Sequence, residues 1–261
     1  MSDDPPHAHD HYRDARYYDH AYSRYKSDVA FYVELATALG GPVLELGGGT
    51  GRVTIPIAKA GVSIVSVDLM ESMLQQARAR IAKLSRAVRD RIELVEGDLR
   101  TLDLDRRFAL VISPFNVLMH LYTRPDVEAA LATVRRHCAP GGRFAFDVLL
   151  PDPASLALNP NRFYKSRPIT HPRDGARYGY AESFEYDHDA QIQTTVIRFE
   201  RLEDGEELYD RLMQRQYFPR ELEALLHYNG FEVLRHDGAF DGRPIDGLSD
   251  SQVVIARPRA Q

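Results

Sequence analysis

Between residues 42 and 150 the chain alternates short apolar runs with amphipathic stretches, a pattern that predicts strands joined by crossover helices. The runs Val43 to Leu46, Ser63 to Asp68, Arg91 to Glu96, Leu110 to Ser113 and Arg143 to Val148 are rich in Val, Ile and Leu, as buried parallel strands require. Helical rhythm fills about 52 to 60, 71 to 86 and 125 to 138 between them. Together these predict an α/β fold with a doubly wound, mostly parallel sheet and helices on both faces.

The flanking segments follow other rules. Residues 1 to about 14 show no period and read as a loose tail. Ala15 to Leu39 sets Tyr17, Tyr18, Tyr22, Tyr25, Phe31, Val33 and Leu35 in a mainly helical rhythm, so 1–41 is expected to be a tail and helical lid. After Leu150 the proline-bearing Pro151-Asp152-Pro153 breaks the pattern, and Ala181 to Tyr186, Gln191 to Leu202 and Glu207 to Tyr217 read as antiparallel strands with Glu203-Asp204-Gly205-Glu206 as a hairpin turn. This antiparallel β insertion, 151–217, is expected to supply a substrate wall or a dimer surface. In 218–261 a helix begun by Pro219 and stopped by Asn229-Gly230 leads into strands Phe231 to Arg235 and Ser251 to Ala256, which complete the core sheet.

Composition narrows the function. A chain of 261 residues with 44% hydrophobic content can bury a sizeable core. Its net charge of -5 argues against a chain-wide nucleic-acid footprint and favours a small-molecule acceptor. No run approaches the roughly 18 apolar residues of a membrane span, and Met1 to Asp10 is polar, so a cytoplasmic protein with no membrane partner is expected. Cys138 stands alone, which excludes an internal disulfide, and no Cys/His spacing suits zinc. His7, His9 and His11 read as a solvated tail, and no metal is expected.

The chemistry concentrates where the first strand ends in Gly47-Gly48-Gly49-Thr50-Gly51 and runs into a helix. A turn without side chains, at a helix N-terminus, lets a ligand touch backbone. Alone it serves a dinucleotide pyrophosphate as well as S-adenosylmethionine. Glu45 precedes the turn, where its charge would repel a pyrophosphate; Asp68 ends the second strand, where an acid can bond a ribose diol; Asp98 follows the third, suited to accept from an adenine amine. Each acid taken singly can equally be a solvated strand-end charge. Three at successive strand tips converge on the edge where open α/β sheets bind ligands.

Val43 to Gly51, Ser66 to Leu74, Glu96-Gly97-Asp98-Leu99 and Ala139-Pro140-Gly141-Gly142-Arg143 resemble the class I S-adenosylmethionine-dependent methyltransferases. The resemblance spans about residues 42 to 148 and implies a Rossmann-like core over 42–150 with S-adenosylmethionine as cofactor. It further implies that Gly47 and Gly49 contact the cofactor with their backbone, Asp68 its ribose, Leu69 and Met70 the adenine face, and Asp98 with Leu99 the adenine edge. Gly48 departs from the pattern, since relatives more often carry Cys, Ala, Pro or Ser there, and a slightly looser loop is expected.

Beyond the fourth strand, Ser113-Pro114-Phe115-Asn116 followed by Met119-His120-Leu121 is similar to the equivalent segment of glycine N-methyltransferases and amino-sugar N-methyltransferases. Ser113 is expected beside the cofactor, and Asn116 and His120 beside the acceptor. His120 can act as a general base or substrate orienter, or be satisfied within a helix; Asn116 can bond the acceptor or cap the following helix. Tyr17 to Tyr22 looks like the lid helix of the same relatives, with Tyr18 and Tyr22 offered to the sulfonium cation. The expected activity is methyl transfer to an amine or hydroxyl of a small metabolite, by an enzyme that forms a homodimer. The alternatives are an NAD(P)-dependent oxidoreductase of related topology and a non-catalytic scaffold that binds the cofactor.

Overall fold

The computed structural model describes residues 4–259. In chain order the helices and strands are α1 (Ala15–Tyr22), α2 (Ser27–Leu39), β1 (Val43–Leu46), α3 (Thr54–Lys59), β2 (Ile64–Asp68), α4 (Glu71–Ile81), α5 (Arg86–Arg89), β3 (Ile92–Glu96), β4 (Phe108–Ser113), α6 (Arg124–His137) and β5 (Cys138–Leu149). They continue with α7 (Pro153–Leu156), β6 (Tyr164–Lys165), β7 (Ile169–Thr170), β8 (Arg177–Asp187), β9 (Ile192–Arg201), β10 (Glu207–Arg215), α8 (Pro219–Tyr228), β11 (Phe231–Asp237) and β12 (Ser251–Pro258).

Seven strands form the main sheet in the order β11-β12-β5-β4-β1-β2-β3. Strands β1 to β5 are parallel, while β12 runs antiparallel to β5 and β11 antiparallel to β12. Because helices cover both faces, the central strands are largely apolar, and every residue of β1 is buried, Glu45 included. Leu46, Phe144 and Phe146 pack toward α6 and α8; Val43, Ile112 and Ala145 pack toward α2 and α3. The order of strands reverses between β1 and β4, which opens a crevice at their carboxyl ends. A second sheet, β10-β9-β8-β6 with β7 also on β8, is antiparallel throughout and stands beside that crevice.

Most expected elements appear within a few residues, and the departures have local causes. The helical stretch from Ala15 is two helices: Asp14 caps α1 by accepting from the Arg16 and Tyr17 amides at 3.0 Å, and the chain breaks after Tyr22 before α2 begins. Helix α4 stops at Ile81, with α5 separate from it. The turn expected at Ala139 to Arg143 is absorbed into β5, which starts at Cys138 and shifts register against β4 near Gly141, whose φ is +75°. Segment 4–14 is not a loose tail. Ala8 and His11 are buried, and Asp10–Tyr12 forms a 3-10 turn. None of the described helices is long and apolar enough to cross a membrane.

Candidate active site

The glycine-rich turn is shaped by close backbone packing. Gly47 has φ +76°, and a Cβ there would lie 2.4 Å from Val117, so neither conformation nor space admits another residue. At Gly48 a Cβ would meet the Ser66 hydroxyl at 1.7 Å. Ser66 fills the space that a Cβ at Gly48 would take. Ser66 Oγ lies 3.1 Å from Thr54 Oγ1, and Thr54 donates to Glu45. Burial pushes the Glu45 carboxyl up to about 7, against the two hydroxyls that favour its charge.

Asp68, at the tip of β2, accepts from the Gly49 amide at 2.7 Å and the Met70 amide at 2.8 Å. One oxygen ties down the glycine turn and the other the start of α4. Each retains a lone pair for a further donor. Burial raises the Asp68 pKa, and those amides oppose the rise. Beyond β3, the Asp98 carboxylate is gripped by Arg100, whose Nη2 stands 2.6 Å from Oδ2.

The tip of β4 forms the opposite wall. Phe115 and Asn116 both have left-handed backbones, φ +63° and +65°, a conformation costly for residues with side chains. The Phe115 amide donates to Asp147 at 2.8 Å, and the Tyr32 hydroxyl donates to the same carboxylate at 2.6 Å. Burial raises the Asp147 pKa to about 6. Over the Phe115 ring, 4.3 Å away, lies the guanidinium of Arg52, which makes a two-point ion pair at 2.8 and 2.6 Å with the fully buried Asp28. Downstream, the 3-10 turn Val117–His120 is pinned by the Tyr217 hydroxyl on the Leu118 and Leu121 carbonyls.

His120 is held at both nitrogens, with Nε2 2.7 Å from the Tyr12 hydroxyl and Nδ1 3.2 Å from that of Tyr122. Burial, aided by His11 and His9, pushes its pKa down to about 4, so the imidazole is neutral at pH 7. Tyr12 packs against Tyr18, 5.9 Å between ring centres. Around it the N-terminal segment is fixed by histidine–carboxylate pairs: His11 to Asp210 at 2.6 Å, His9 to Asp4 at 3.0 Å and His7 to Asp10 at 2.8 Å.

One cleft gathers most of the residues singled out from the sequence. Glu45, Gly47, Gly49, Asp68, Leu69, Met70, Asp98, Leu99, Tyr18 and His120 all line it. Three lie outside its lining. Ser113 is fully buried between strands, its hydroxyl 3.4 Å from the Leu46 carbonyl. Tyr22 borders an outer groove and gives its hydroxyl to His11 Nε2 at 2.9 Å. Asn116 neither joins the cleft nor caps the turn that follows it: its backbone is left-handed and its side chain makes no cap hydrogen bond. The cleft also takes in Asp4, His9, Tyr12, Arg52 and Arg100, for which sequence reasoning had no signal.

A glycine turn and two acids at consecutive strand tips, on a sheet of this order with an antiparallel final pair, define a class I S-adenosylmethionine-dependent methyltransferase fold. Residues 43–142 match the family model described as "Methyltransferase domain". The class uses S-adenosylmethionine. A dTDP-3-amino-3,4,6-trideoxy-α-D-glucopyranose N,N-dimethyltransferase of Streptomyces venezuelae is 31% identical over 46% of this chain and 48% of its own, so the chain spans about half the length of that relative. A cypemycin N-terminal methyltransferase from a Streptomyces species is 28% identical over 83% of this chain and 82% of its own. Among solved structures, the CcbJ methyltransferase of Streptomyces caelestis superposes with a TM-score of 0.78 at 27% identity, over 96% of this chain and 98% of that one. The glycopeptide N-methyltransferase MtfA, solved with S-adenosyl-L-methionine, gives 0.64 at 28% identity, over 89% and 87% of the two chains.

Proposed function

We propose that this chain transfers a methyl group from S-adenosylmethionine to an amine nitrogen of a small-molecule acceptor such as an amino sugar or the amino end of a peptide. The observation that carries the reading is that one cleft is lined by Gly47, Gly49, Asp68 and Asp98 together with Tyr18 and His120. The named N-methyltransferases among the relatives favour nitrogen over oxygen. Glu45 and Asp98 speak against the dinucleotide alternative, since a charge on Glu45 would repel a pyrophosphate.

When bound, S-adenosylmethionine supplies an electrophilic methyl group that needs neither metal nor covalent enzyme intermediate. The chain's part is placement. Asp68 would hold the ribose through its spare lone pairs, Asp98 the adenine amine, and Leu69, Met70 and Leu99 the ring faces. Tyr12, Tyr18 and Phe115 present aromatic surface to a cation, and Arg52 offers a positive charge to a carboxylate. His120, neutral and taken at both nitrogens, fits an orienting role through Tyr12 better than that of a strong base. An acceptor amine would therefore arrive deprotonated.

The reading extends to a cytoplasmic dimer; the exposed Tyr209 on β10 and Leu202 in the turn after β9 support a self-contact, and light scattering of the purified protein tests it. The function is tested by calorimetry with S-adenosylhomocysteine followed by mass spectrometry of an amine panel. Binding plus a gain of one methyl on an amine is expected, with Asp68→Asn weakening binding and His120→Ala lowering turnover. No binding above background would remove the cofactor assignment, and binding with no transfer to any amine or phenol would favour the scaffold.

A further inference from the structure

Arg100 sits at the centre of the charged groups at one end of the cleft. Its Nε lies 3.0 Å from both Asp98 oxygens, and Nη1 donates to Asp4 at 2.6 Å and to Asp126 at 3.2 Å. Little water reaches it: the Arg100 side chain is 14% exposed and that of Asp4 6%. Asp4 also meets His9 Nε2, and the chain then turns at His7, φ +71°, and passes through buried Ala8 to Tyr12, whose carbonyl accepts from Ser72 Oγ at 3.1 Å. Residues 4 to 12 thus cross the mouth of the cleft, and their first tie is to the residue that fixes Asp98.

We infer that Arg100 is a positioning residue that couples base recognition to closure of residues 4–12, its one guanidinium aiming the Asp98 carboxylate and latching Asp4 over the same end. The inference rests on the reading that Asp98 meets the adenine amine. Three carboxylates converge on one planar cation, which its five-donor fork can satisfy and a lysine point charge cannot. Without the guanidinium, Asp4, Asp98 and Asp126 repel one another across a poorly hydrated gap, so Asp4 leaves with its segment and Asp98 loses its aim. An ionised Asp98 can only accept, so it selects a base with a donor at this edge and disfavours one with a carbonyl there.

The test uses the full chain, with S-adenosylhomocysteine and S-inosylhomocysteine, which carries a carbonyl in place of the amine, as calorimetric probes. Trypsin cleavage at the exposed Arg13 and Arg16 reports closure. Wild type is expected to prefer the adenosyl compound at least tenfold and to be protected from trypsin by it. Arg100→Gln should lose at least tenfold in affinity, much of the preference and the protection, and Arg100→Lys should recover only part. Asp4→Asn should keep the preference yet lose several-fold in affinity and most of the protection, and it decides the matter if Arg100→Gln does not fold. Unaltered affinity and protection in Asp4→Asn, or an unaltered preference in a folded Arg100→Gln, would overturn the coupling while leaving the cofactor assignment intact. Failure of wild type to bind either compound would overturn the cofactor assignment, and the coupling with it.

Discussion

Gly48→Ala probes how the glycine-rich turn is held. A Cβ at this position would stand 1.7 Å from Ser66 Oγ and 3.1 Å from both Ser66 Cβ and Glu45 Oε2. The hydroxyl has to move, and moving it breaks its 3.1 Å contact with Thr54, the residue that hydrogen-bonds buried Glu45. Overpacking of this kind costs about 1–3 kcal/mol, and the lost hydrogen bond about 1 kcal/mol. Gly48 is not left-handed, so alanine regains about 0.4–1 kcal/mol by restricting the unfolded chain. The net loss should be about 1–3 kcal/mol, a fall in melting temperature on the order of 2–10 °C for a chain of this size. Ser66→Ala alone should cost about 1 kcal/mol. It also removes the offending oxygen, so Gly48→Ala in that background should cost little more. Urea unfolding of the four proteins measures the coupling, expected at about 1–2 kcal/mol, and titration with S-adenosylhomocysteine should show affinity lost in Gly48→Ala and largely restored in the double variant. Simple additivity within about 0.5 kcal/mol would refute the account of Ser66 as the filler.

Three further outcomes follow from the buried polar groups. The Glu45 carboxyl, raised from 4.5 to about 7, favours the folded state fully below its unfolded pKa and loses that contribution as pH climbs through 7; stability should fall by up to about 3 kcal/mol between pH 4.5 and 8, and Glu45→Gln should flatten that slope in urea midpoints measured across the range. Arg52→Ala leaves Asp28 buried without its partner, at a cost of about 3–5 kcal/mol and a drop in melting temperature on the order of 10 °C, read by calorimetry; a change under 2 °C would show the pair to be dispensable. Tyr12→Phe removes the hydroxyl on His120 Nε2 and should lower kcat about tenfold with S-adenosylhomocysteine affinity within about twofold, so an unchanged kcat would take the Tyr12–His120 contact out of the reaction.

The sheet was legible because burial on both faces forces continuous apolar runs such as Val43 to Leu46 and Phe108 to Ser113, and those need no partner to be recognised. The strand-tip acids were legible for the same reason, since locating a strand locates its end. Segment 4–14 was not. Its polar residues carry no period, and they are ordered by partners far away in sequence, such as Asp210 for His11 and Arg100 for Asp4. Ser113 failed in a third way. It ends β4, but it is fully buried with its hydroxyl turned to the neighbouring strand's Leu46 carbonyl, so proximity to the tip did not bring it into the cleft.

The wall facing the cofactor turn shows why position in sequence understates this site. Phe115 and Asn116 adopt two consecutive left-handed conformations with no glycine to ease them, a strain of about 1–3 kcal/mol each. What holds them is Asp147 at the end of β5, which takes the Phe115 amide, and Tyr32 on α2, which bonds the same carboxylate. Arg52, entering α3 from the glycine turn, then closes over Phe115 and ties to Asp28 at the start of α2. The β4 tip, the β5 tip, the helix behind the cleft and the cofactor turn are thereby one connected unit around the position of the Phe115 ring. Asp147→Asn should accordingly act on the wall as a whole: it keeps the size of the side chain but loses the charge that both donors favour, so it should depress turnover more than it weakens cofactor binding.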